Sequence, residues 1–150
     1  MALPAVIAHL KRYPGMFLSS VEFDGMTAFL NGYDIAQSGG FLVGFREWLI
    51  VQANGDSNLA WSALVLRVLE KRHGLPQSDK AIDGLFDLLE EFIAIRDLHE
   101  GLRQIYVKYE GWLRRQEWYT PKHPAWLSDA LPLRARIPRK KPRRKRREAK

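Results

Sequence analysis

Four histidines, His9, His73, His99 and His123, are the first candidates for metal or acid–base chemistry. No two of them stand at the i, i+4 spacing that sets two imidazoles on one helix face, and no H-E-x-x-H occurs. The chain has no cysteine, which removes thiolate nucleophiles, zinc sites of the Cys type and disulfides. G-x-S-x-G, Walker-type and dinucleotide-binding patterns are missing as well. Ser38-Gly39-Gly40-Phe41-Leu42-Val43-Gly44 is glycine-rich, yet it lacks the preceding strand and the following lysine that a phosphate cradle requires, so it reads as a helix–helix connector. Glu90-Glu91 come nearest to an acid–base pair, but neighbours on an amphipathic helix diverge by about 100°, largely toward water. The expectation is a protein that is no enzyme and takes no cofactor or metal.

Binding chemistry is easier to find. Asp83, Asp87, Glu90 and Asp97 recur at helical spacing, with Glu91 beside them and no Lys or Arg in the run until Arg96. An unpaired acidic stripe repels itself weakly. It is either a solvated face or a docking surface for a basic protein partner, such as a toxin or the cationic active site of a nuclease, where carboxylates stand in for phosphates.

The opposite charge is gathered in Arg134–Lys150, RARIPRKKPRRKRREAK, which holds eleven Lys/Arg and one Glu. Residues 1–133 hold thirteen Lys/Arg against sixteen Asp/Glu, so the body is mildly acidic and the basic balance of the whole belongs to the tail. Arg139, Lys140, Lys141, Arg143, Arg144, Lys145, Arg146 and Arg147 could neutralise phosphates and release counterions, giving salt-sensitive, non-specific binding to nucleic acid. No aromatic residue interleaves to stack on bases, and a solubilising or targeting tail would look the same.

The elements that must position these residues follow from apolar spacing. A first helix over roughly Leu3–Arg12 carries Val6, Ile7 and Leu10 and stops at Tyr13-Pro14-Gly15. A second begins after Ser19-Ser20-Val21-Glu22, a capping-box pattern, buries Phe23, Met26, Phe29, Leu30 and Tyr33, and ends at Ser38-Gly39-Gly40. A third, Phe41–Ala53, is apolar on more than one side and suits either the centre of a bundle or an interface. A fourth follows the turn at Asn54–Asn58, turns Trp61, Leu64, Val65, Val68 and Leu69 inward and closes at His73-Gly74-Leu75-Pro76. The fifth, Asp79–Asp97, places Ile82, Leu85, Phe86, Leu89, Phe92 and Ile93 on one stripe. A sixth, about Leu98–Glu117, carries Leu102, Ile105, Tyr106, Tyr109, Trp112 and Leu113, and is either continuous with the fifth or broken near Arg96-Asp97.

No pair of alternating runs is joined by a hairpin turn, so the expected class is all-α: a single bundle of five to six helices in residues 1–133. Its last part, Trp118–Leu133, is an extended Pro/aromatic segment, and residues 134–150 form a disordered polybasic tail. Five Trp, seven Phe and five Tyr in a 46% apolar chain are enough for a core. The opening MALPAVIAHLKRYPGMF has no basic n-region, and no run reaches the roughly 18 apolar residues of a membrane span, so a cytoplasmic location without a membrane span is expected. A leftover apolar face would allow a homodimer.

Arg12-Tyr13-Pro14-Gly15-Met16-Phe17, Phe29-Leu30-Asn31-Gly32-Tyr33, Phe45-Arg46-Glu47-Trp48-Leu49 and Phe86-Asp87-Leu88-Leu89-Glu90-Glu91-Phe92 together carry a resemblance spanning about positions 10–95. The chain resembles small bacterial proteins with R-P-G-M-[YF], F-L-x-G-[YW] and F-x-x-W-[LV] motifs, which look like the immunity partners of polymorphic toxins. Here Tyr13 is set between Arg12 and Pro14, and the basic tail lies outside the match. The resemblance implies a helical protein that neutralises or regulates a protein partner. Pro14-Gly15-Met16-Phe17 is also similar to the opening of the type II topoisomerase ATPase domain, but no D-x-G-x-G follows. Binding of DNA or RNA through the tail is the alternative function.

Overall fold

In a computed structural model the described residues are 3–55, 58–74 and 78–119. Among them the chain forms α1 (Ala5–Arg12), a 3-10 turn (Pro14–Met16), α2 (Phe23–Ala36), α3 (Phe45–Ala53), α4 (Trp61–His73), α5 (Ser78–Arg96) and α6 (Gly101–Leu113), with no strand. The fold is all-α. Met1–Gln116 make one compact unit and a second begins at Glu117. Of the Trp118–Leu133 segment only Trp118 and Tyr119 are described, their rings edge-on at 6.4 Å. The tail positions 134–150 lie outside the described residues.

The helix α3 is the centre, packed against α4, α5 and α6. Its apolar character on several sides follows from that position, with Phe45, Trp48, Leu49 and Ile50 all buried. Phe45 is a hub whose ring lies 5.0 to 6.1 Å from those of Phe92, Trp61 and Trp48. On α5 the expected stripe of Ile82, Leu85, Phe86, Leu89, Phe92 and Ile93 is buried throughout, joined by Ala81 and Leu88. The stripe is wide because α5 meets α2 and α3 as well as α4 and α6.

Several helix ends depart from the sequence-based expectation. The capping box before α2 does not close: Glu22 is the N-cap without a side-chain bond to the helix, and its carboxylate accepts from the Ser20 hydroxyl instead, 2.9 Å away. The cap expected within Asn54–Asn58 is not at the start of α4 either, where Ala60 takes the N-cap place without a side-chain bond. Asn54 works backwards. It ends α3 in the left-handed conformation, φ 54, and its side-chain oxygen accepts from the Trp112 indole at 3.2 Å, tying α3 to α6.

The third helix starts at Phe45 rather than Phe41, after Gly44 at φ 83. Residues 37–44 are thus the connector expected of the glycine-rich segment, held by the Leu42 amide donating to Asp34 at 2.7 Å. The fifth and sixth helices are separate. Their turn puts Glu100 at φ 58, and a Cβ on the next residue, Gly101, would collide with the carbonyl oxygens of Ile95 and Arg96. Two residues expected in the core are exposed, Val6 at 44% and Tyr106 at 42%, and Phe23, Phe29, Tyr33, Trp61, Leu102 and Tyr109 are half-buried.

Candidate functional site

The five carboxylates of the acidic stripe differ in their counter-charges and surroundings. Glu90 accepts an ion pair from Lys11 of α1 at 2.8 Å. It lines a shallow hollow of about 560 Å³ together with Leu3, Ala8 and Arg12. Asp97 follows the last residue of α5 and pairs with its neighbour Arg96 at 2.9 Å. Asp83, Asp87 and Glu91, at i, i+4 and i+8, do come together, along one side of a groove between α4 and α5 of about 410 Å³.

The buried side chains of Leu69 and Leu88 form the floor of this groove. Gly84 sits between the first two carboxylates, where a Cβ would stand 2.6 Å from Leu69 Cδ2, so its bare backbone lets α4 come close to α5. The last turn of α4 supplies Arg72 and His73, the type of residue favoured at a helix C-terminus by the axial dipole. The first turn of α5 supplies Lys80.

The stripe free of counter-charges that the sequence suggests is therefore corrected. Arg72 Nη1 donates to both Glu91 carboxylate oxygens at 2.9 and 3.1 Å, while Nη2 reaches the Gln52 side-chain oxygen at 3.3 Å. Lys11, Arg72 and Arg96 neutralise three of the five acids. Two of these cations come from other helices, which spacing along α5 alone cannot show. Asp83 and Asp87 form no ion pair with any described residue.

Partly exposed pairs such as Lys11–Glu90 and Arg72–Glu91 contribute only up to about 1 kcal/mol each. They do little to hold the fold and can exchange partners. The groove offers carboxylates, a guanidinium, an ammonium and an imidazole at the surface, over an apolar floor. That set can bind charged side chains of another protein, the polar groups fixing register.

Among the described residues no three His, Asp or Glu side chains are grouped to hold a metal ion. His9 instead faces the Tyr13 ring at 5.6 Å, and His123 lies outside the described residues. The nucleic-acid candidates Arg139, Lys140, Lys141, Arg143, Arg144, Lys145, Arg146 and Arg147 also lie outside them. No described helix is long and apolar enough to cross a membrane.

Arg72, His73 and Lys80 are groove residues that the sequence reading missed. For the first two the signal was the run Lys71-Arg72-His73 at the end of a helix whose neighbour carries the acids. Comparison with family models, with curated proteins and with solved structures gives no match.

Proposed function

We propose that this chain is a non-enzymatic protein-binding module that neutralises or regulates a partner protein, and that the α4–α5 groove is its contact. The observation that carries this is the pairing of Asp83 and Asp87, one turn apart and free of ion pairs among the described residues, with a concave apolar floor. A partner cation placed there gains two carboxylates without breaking an existing pair. Immunity to a basic toxin or nuclease is the specific form we favour, since such a partner presents cations that must be covered to be silenced.

The test is affinity capture from the native host with the wild-type chain and with the Asp83→Lys, Asp87→Lys double variant. One stoichiometric protein, retained after nuclease treatment by the first and lost by the second, supports the reading. Equal retention by both contradicts it.

The second reading, non-specific nucleic-acid binding, is favoured by the eleven cations of Arg134–Lys150. Truncation after Leu133 separates the two: it abolishes nucleic-acid retention under this reading and leaves protein capture intact under the first.

A further inference from the structure

Charge in the α4–α5 groove is patterned rather than uniform. Lys80, Asp83, Asp87 and Glu91 follow one another at three- and four-residue intervals on α5, so they stand in a row about one helical turn apart. Glu91 is covered by Arg72 at 2.9 Å. What remains is a cation followed by two acids, none of the three ion-paired with a described residue. An unbroken run of partner cations laid along this row would set one of them against the Lys80 ammonium, and Arg72 would meet the next across the groove. Like charges placed face to face work against a polycation as a ligand.

Resting on the groove being the contact, we propose that it selects a partner segment bearing acid and base together. An Asp or Glu is set against Lys80, and an Arg or Lys against Asp83 and Asp87. Lys80 then decides specificity while the two aspartates supply attraction.

The experiment uses the full chain, labelled for amide NMR, and two capped peptides of equal length, a Glu-Arg-Arg repeat and oligoarginine, at an ionic strength of about 0.15 M. The Glu-Arg-Arg peptide is expected to shift the α5 groove amides and to bind more tightly than oligoarginine. Lys80→Glu should weaken the Glu-Arg-Arg peptide about threefold and strengthen oligoarginine by a similar factor, the scale of one exposed pair. Preference of the wild type for oligoarginine, no response to Lys80→Glu, or no shift in the groove overturns the proposal. If Asp83→Lys, Asp87→Lys still abolishes capture of the host protein, only the charge pattern has failed. If capture also survives, the groove itself is not the contact.

Discussion

Arg96 shows how much one side chain can hold. Its Nη1 donates to the Phe41 carbonyl at 2.6 Å, its Nε to Asp97 at 2.9 Å, and its guanidinium lies 5.4 Å from the Phe92 ring centre. With its side chain only 18% exposed, it fixes the connector before α3 to the end of α5. Arg96→Ala leaves that carbonyl without its donor and is expected to cost about 2 kcal/mol, read from chemical denaturation. Lysine should recover only part of it, because one ammonium cannot reproduce the fork.

Tyr106 provides a pH test at the same scale. Partial burial of this half-exposed side chain first, then the nearby Glu47 carboxylate and Tyr109, raise its phenol above the usual 10.0. The fold therefore favours the neutral phenol, so this contribution is complete below pH 10 and is lost as pH rises through the unfolded value toward the folded one. Absorbance titration should place the Tyr106 transition above 10, and Glu47→Gln should lower it only partly, since burial is the larger cause. A transition unmoved from 10 in the wild type would contradict this.

At the scale of elements, the tightest constraint is the turn between α5 and α6. Gly101→Ala forces a methyl against two backbone carbonyls that no rotamer can move, and a loss of about 2–3 kcal/mol is expected in thermal or urea unfolding. Wild-type stability in that variant would mean the helices meet differently.

The same position shows what the sequence could and could not disclose. The interiors of α4 and α5 were legible, because Leu64, Val65, Val68 and Leu69, and Ile82 through Ile93, repeat with the helical period and that period follows from burial on one side. The ends were not. Apolar spacing carries the sixth helix back to Leu98 although Gly101 is its first residue, and the third back to Phe41 although Gly44 precedes it at a left-handed φ that spacing does not show. Val6 and Tyr106 fit the apolar period but face outward, because period alone does not fix how wide the covered stripe is.

At the scale of the whole molecule, the acids on α5 belong to three different surroundings decided by α1, α4 and the end of α5 itself. That is why the carboxylates were readable as a row and their division was not: counter-charges came from residues 79 and 19 positions away in the chain. The fold leaves Asp83 and Asp87 in the α4–α5 groove beside Leu69 and Leu88, where we propose that a partner protein's cation binds.

The most direct test is the association rate of the captured host protein with the wild type and with the Asp83→Lys, Asp87→Lys variant, measured across a salt series after circular dichroism has shown both to be folded. Slower association and at least about tenfold weaker binding are expected in the variant, with the difference shrinking as salt rises. Equal rates and affinities at every salt concentration would contradict it.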